Sequence, residues 1–143
     1  MPLRILVAED NRDGADMLAV LLRLGGHEVH VAYDGPHALQ LIKTLAPHLA
    51  LLDIGMPGLS GLEIARNLKA TGHRTVLIAI SGWGRPSDRE AAREAGFADY
   101  LLKPVEIARL DALLQRLSLQ LSQTNVTGAD HREIDDTGTP GTD

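Results

Sequence analysis

Short apolar runs alternate along this chain with segments whose apolar residues recur every three or four positions, and few folds accept that alternation. It is the signature of repeated strand and helix units, in which a parallel sheet is covered on both faces. Leu3 to Ala8 reads as a first buried strand, followed by a helix from about Asn11 that turns Leu18, Leu21 and Leu22 to one side and stops at Gly25-Gly26. Asp10 could cap that helix. Glu28 to Tyr33 alternates as a second strand, and Gly35-Pro36 opens a helix through Ala38, Leu39 and Ile42 that closes before Pro47. Leu49 to Asp53 is a third strand; a glycine-rich loop then leads to a helix with Leu62, Ala65 and Leu68 inward, ended by Gly72. Arg74 to Ile80 is a fourth, after which Ser87-Asp88-Arg89-Glu90 has the form of a capping box and the helix ends at Gly96. A short strand at Asp99 to Leu102 precedes a last helix from about Val105, with Ile107, Leu110, Leu114, Leu117 and Leu121 at helical spacing.

A single domain over residues 1–122 accommodates these five units, and 44% hydrophobic residues are enough to fill its core. Residues 123–143 break the pattern. They hold five acids against one base and few apolar side chains, so a disordered acidic tail is expected there. The tail carries most of the net charge of −5, leaving the first 122 residues nearly neutral. Such a chain has no basic field with which to attract nucleic acid by itself. It contains no cysteine, which excludes disulfides and thiolate chemistry. No apolar stretch approaches the roughly 20 residues of a membrane span, and the amino terminus leads straight into the first strand, so a cytoplasmic protein without membrane association is expected.

The polar residues that end the apolar runs carry the chemistry. Glu9 and Asp10 follow the first strand, Asp53 ends the third, Ser81 follows the fourth, and Lys103-Pro104 follows the fifth. Each has a structural excuse: a helix cap for Asp10, turns for Asp53 and Ser81, an exposed cation for Lys103. In a parallel sheet, however, all five gather at the carboxyl ends of the strands, where open α/β sheets bind ligands. Two carboxylates about 4 Å apart repel by about 4 kcal/mol at an effective dielectric of 20, so Glu9, Asp10 and Asp53 require a neutralising partner. A hard divalent cation such as Mg²⁺ suits that set, and an ionised carboxylate needs no general base to attack phosphorus.

Glu9-Asp10, the stretch Leu51-Leu52-Asp53-Ile54-Gly55-Met56-Pro57-Gly58, Ser81-Gly82 and Tyr100-Leu101-Leu102-Lys103-Pro104 together resemble the receiver domain of two-component response regulators. The resemblance spans residues 3 to about 120. It implies a flavodoxin-like five-stranded parallel sheet of order 2-1-3-4-5. It also implies Mg²⁺-dependent phosphoryl transfer from a histidine kinase or histidine phosphotransfer protein to Asp53, which becomes a 4-aspartylphosphate. Asp10, Asp53 and the Gly55 carbonyl would then bind Mg²⁺, and Glu9 would hold it through water. Lys103 would pair with the phosphoryl oxygens through a cis Lys103-Pro104 bond, Ser81 would donate its hydroxyl, and Tyr100 would turn inward when Ser81 moves. A signalling phosphoacceptor of this kind is not an enzyme beyond its own phosphorylation and dephosphorylation.

The family's usual output face, formed by the fourth helix, fifth strand and fifth helix, implies a downstream protein partner, and Arg85, Arg89 and Arg93 lie on or beside that fourth helix. Gly55 and Trp83 depart from the residues more common at those positions. The stretches Asp10-Asn11-Arg12-Asp13, Asp53-Ile54-Gly55 and Ser81-Gly82-Trp83-Gly84 look most like receivers attached to hybrid histidine kinases. Three other readings compete. A phosphatase of the haloacid dehalogenase type needs an Asp at position 55, where this chain has Gly, and a flavin binder needs a glycine-rich phosphate loop after the first strand. A receiver-like interaction module that signals without phosphorylation remains compatible with the fold.

Overall fold

The structure, a computed structural model, describes residues 2–131, and side chains for residues 2–122. Its elements run β1 (Arg4–Ala8), α1 (Arg12–Leu24), β2 (Glu28–Ala32), α2 (Gly35–Leu45), β3 (Leu49–Asp53), α3 (Gly61–Thr71), β4 (Val76–Ser81), α4 (Pro86–Ala95), β5 (Asp99–Leu102) and α5 (Ile107–His131). The strands form one parallel sheet of order β2-β1-β3-β4-β5, as the resemblance implied. Two compact units divide between Val105 and Glu106, and the first, Pro2–Val105, carries the whole sheet and α1 to α4.

Strand position explains strand composition. The interior strand β3 buries all five residues, which is why Leu49 to Asp53 reads as a continuous apolar run ending in one acid. The edge strand β2 leaves Glu28 exposed and His30 and Val31 half-buried. Leu6, Ala8, Ala50, Leu52, Leu77 and Ala79 pack on one face with Ile42, Ile64, Leu68 and Ala92 of α2, α3 and α4. By the alternation of strands, the neighbouring residues Ile5, Val7, Leu51 and Ile78 point to the opposite face, and all four are buried. At the amino-terminal edge of the sheet, the Leu3 N–H donates to His27 Nδ1 (3.0 Å) and the Arg4 N–H to His48 Nδ1 (2.9 Å). Both rings therefore serve as backbone caps at the start of β1.

Several helix details differ from the sequence expectation. The N-cap of α1 is Asn11, whose Oδ1 accepts the Gly14 N–H at 2.9 Å, so Asp10 has no capping role. Leu21 is exposed, and the buried face of α1 is Ala15, Leu18, Ala19 and Leu22. Helix α4 starts at Pro86 rather than after Ser87: proline suits the first helical position, and Asp88 reaches back to accept the Arg85 N–H. Strand β4 begins at Val76, where its apolar run starts, two residues later than the expected Arg74. In the second unit α5 begins at Ile107, which is exposed, and buries Leu110, Leu114 and Leu117. It continues past Ser122 to His131; the remainder of the expected tail, residues 132–143, lies outside the described residues.

Candidate functional site

The connection from β1 passes to β2 on one side, whereas β3 lies on the other, so the sheet's order reverses between β1 and β3. A crevice opens at the carboxyl ends of such strands. Glu9 follows β1 directly, and its N–H donates to the Ala32 carbonyl of β2 at 3.1 Å. Its carboxylate accepts the Asn11 N–H (Oε2, 3.1 Å). Asn11 thus fixes Glu9 with its backbone while capping α1 with its side chain. The sequence carries only half of that signal, in the preference of Asn for N-caps.

Asp53 ends β3 and is almost fully buried. Its Oδ1 accepts the Gly55 N–H at 2.9 Å, and its Oδ2 accepts from Lys103 Nζ at 2.7 Å. Gly61, the first residue of α3, permits this packing: a Cβ there would stand 2.8 Å from the Asp53 carbonyl oxygen. Lys103 also reaches Glu9 Oε1 at 2.6 Å, so one ammonium bridges two carboxylates. The Lys103-Pro104 bond is cis, as the resemblance implied, and the Lys103 N–H donates to the Ser81 carbonyl at 2.8 Å.

The three acids lie close enough for one ion: Glu9, Asp10 and Asp53 each offer an oxygen within 4.8 Å of the others. Burial, foremost, and the neighbouring Asp53 push the Glu9 carboxyl up to about 7, against the pull of Lys103 and the Asn11 N–H. Burial also acts to raise Asp53. Its hydrogen bonds with Glu9, Lys103 and the Gly55 N–H outweigh that effect and hold its carboxyl below the usual range. Burial likewise opposes the charge on Lys103, and its bonds to Asp53 and Glu9 more than compensate, raising it. The like-charge repulsion expected from the sequence is thus relieved by Lys103, and the raised Glu9 carboxyl relieves it further below about pH 7.

Asp10 is exposed and has no hydrogen bond or ion pair among the described residues. Three carboxylates without a histidine match the all-oxygen set that Mg²⁺ takes, so the residues fit that ion. The sequence-predicted ligand Gly55 lies beside Asp53, bonded to it through its N–H.

Ser81 ends β4 and is buried, and its Oγ accepts the Trp83 N–H at 3.0 Å. The Trp83 indole projects outward, 69% exposed, while its carbonyl accepts the Tyr100 hydroxyl. Tyr100 is buried and packed in the core. Arg89 covers this link: its guanidinium lies 4.9 Å from the Tyr100 ring centroid and its Nε donates to the Gly84 carbonyl at 3.4 Å. The other arginines of this stretch make local ion pairs, Arg85 with Asp88 and Arg93 with Glu90.

A family model described as the response regulator receiver domain matches residues 5–115. The chain belongs to that family. Its place in a signalling family of two-component systems agrees with known relatives. Response regulator MprA of Mycobacterium sp. (strain KMS) is 40% identical over 122 residues, covering 82% of this chain and 53% of the relative. The chain thus spans about half the length of the curated relatives it matches. Among solved structures, the receiver domain of the Francisella response regulator 1452 superposes with a TM-score of 0.75 at 29% identity, covering 85% of this chain and 98% of that one. The co-crystal structure of the Saccharomyces cerevisiae histidine phosphotransfer signaling protein Ypd1 with the receiver domain of its downstream response regulator Ssk1 gives a TM-score of 0.71 at 27% identity, covering 77% and 84%. This receiver domain contains no helix long and apolar enough to cross a membrane among its described residues.

Proposed function

We propose that this receiver domain is a phosphoacceptor, in which Asp53 takes a phosphoryl group from a phosphohistidine of a histidine kinase or phosphotransfer protein and thereby switches a protein-interaction surface. The observation that carries the reading is the Lys103 ammonium bridging Asp53 and Glu9 at the strand ends. An Asp53 oxygen forms the new bond to phosphorus, the phosphorus–nitrogen bond to the donor imidazole breaks, and that ring leaves with the bonding pair and takes up a proton. Asp53 is poised for this because its carboxyl is held ionised. Lys103 shifts from the carboxylate to the new phosphoryl oxygens, and the Ser81 hydroxyl exchanges its Trp83 N–H contact for a bond it donates to phosphate. Asp10, Asp53 and the Gly55 carbonyl would hold Mg²⁺, with Glu9 acting through water; the ion supplies neutralisation of the negative charge that gathers on the phosphoryl oxygens.

The Ypd1 complex supports a histidine phosphotransfer protein as one class of donor. Helix α1, which starts three residues after Glu9, exposes Met17, Val20, Leu21 and Leu24, an apolar stripe suited to such a donor. The downstream surface is the α4–β5 face, where Arg89, Arg93, Phe97 and Tyr100 line a cavity of about 180 Å³. The chain acts in the cytoplasm, away from the membrane, as a signalling module rather than an enzyme, and its net charge of −5 leaves nucleic acid to other partners.

Beryllofluoride, which mimics a phosphoryl group on a carboxylate, tests acceptor and switch together. With Mg²⁺ it is expected to change Trp83 fluorescence, because both the N–H and the carbonyl of Trp83 are tied to switch residues. Asp53→Asn should abolish the change. An unaltered spectrum at saturating ligand would instead favour a receiver-like module that works without phosphorylation.

A further inference from the structure

Tyr33 follows β2, half-buried beside the first turn of α1. Two side chains of α1 hold it. Its hydroxyl donates to Asp16 Oδ1, and the Arg12 guanidinium lies 4.2 Å from its ring centroid. Arg12 is only two residues beyond Asp10, on a side chain long enough to swing towards it. Yet Asp10 has no ion pair among the described residues, whereas Lys103 compensates both Glu9 and Asp53. The one acid of the three without an ion pair among the described residues is therefore two residues in sequence from an arginine held on the Tyr33 ring. Asp16, a helical neighbour of Arg12, accepts the Tyr33 hydroxyl on one of its oxygens.

We propose that Tyr33 is a positioning residue for cation binding: its ring holds the Arg12 guanidinium off Asp10, leaving that carboxylate's charge for a divalent ion. Tyr33 touches neither the acceptor nor the ion and acts through Arg12. A guanidinium released from the ring would pair with Asp10 and compete with the incoming cation. The proposal rests on the reading of Glu9, Asp10 and Asp53 as the Mg²⁺ site.

Calorimetric titration of the full chain with Mg²⁺ tests it, with thermal unfolding of each variant to confirm folding. Tyr33→Phe keeps the ring face and should bind as the wild type. Tyr33→Leu also frees the Asp16 carboxylate, so it is measured with Asp16→Asn, where it should weaken binding about two- to fivefold relative to Asp16→Asn alone, the range of one exposed ion pair. Adding Arg12→Gln to that double variant should restore the affinity of the Asp16→Asn, Arg12→Gln variant. Unchanged affinity on adding Tyr33→Leu to Asp16→Asn, or no recovery on adding Arg12→Gln, would overturn the proposal. Should the Tyr33→Leu variants fail to fold, Arg12→Gln alone decides: it should change affinity less than about twofold, and tightening beyond about twofold would show that Arg12 already opposes the cation. A wild-type chain that takes up no Mg²⁺ overturns the metal reading together with this proposal; wild-type binding with insensitive variants overturns this proposal alone.

Discussion

Replacement of Lys103 by methionine is expected to slow phosphorylation of Asp53 by a small-molecule phosphodonor by about 10²- to 10³-fold, the usual cost of removing one preorganised charge partner from a transition state. The ammonium stands 2.7 Å from the acceptor oxygen before reaction, so little rearrangement separates it from the phosphoryl oxygens. The same substitution leaves the buried Asp53 and Glu9 carboxyls without their shared cation. Breaking a fully buried pair costs about 3–5 kcal/mol; Lys103 is 34% exposed, so a loss of about 2 kcal/mol in metal-free stability is expected. Urea unfolding and single-turnover labelling separate the two effects. Mg²⁺ should recover much of the stability, because it replaces the missing positive charge, but not the rate, because the charge partner that Lys103 would offer the phosphoryl oxygens is still missing. A variant that labels at the wild-type rate would remove Lys103 from the chemistry.

Mg²⁺ affinity is expected to rise about tenfold between pH 6 and pH 8 and to level off above that. Burial and Asp53 push the Glu9 carboxyl from its ordinary value of 4.5 to about 7. The metal-free chain therefore keeps a proton on Glu9 where the unfolded chain has lost it. From this group, folding stability declines as pH rises from about 4.5 through about 7. A cation acting with Glu9 needs it ionised, so binding below pH 7 expels that proton, and affinity follows the ionised fraction. Calorimetry in two buffers of different ionisation heat measures the released proton directly. Glu9→Gln should abolish the release and flatten the pH profile, and it should stabilise the metal-free protein at neutral pH by removing the proton-sharing pair. A wild-type affinity independent of pH over this range would contradict the account of Glu9.

The sheet was legible because burial on both faces leaves no room for polar residues inside an interior strand: β3 reads as apolar from Leu49 to Leu52 and turns acidic only at the crevice. The site was legible for the same reason, since Glu9, Asp53, Ser81 and Lys103 are the polar residues at the ends of those runs, and the structure places Lys103 against two of them. Local choices between adjacent equivalents were not. Asp10 and Asn11 both make good caps, and only the geometry of the turn selects Asn11. Ser87 and Arg85 both precede an acid three residues on, and Pro86 decides between them by its fixed backbone angle. Leu21 and Ile107 satisfy the helical period but sit at the rim of their stripes, where periodicity does not distinguish core from surface. The inward pose of Tyr100 depends on the Trp83 carbonyl, far from it in sequence. The upward push on the Glu9 carboxyl depends on burial, which no motif records.

Phosphorylation of Asp53 is the central claim, and the mass of the intact chain after incubation with acetyl phosphate tests it most directly. With Mg²⁺ present, the wild type should gain one phosphoryl group as an acid-stable, base-labile adduct, and chelation of the metal should prevent it. Asp53→Asn should gain none. Equal labelling of wild type and Asp53→Asn, or no labelling of the wild type by either acetyl phosphate or a phosphohistidine donor, would contradict the assignment of Asp53 as the acceptor.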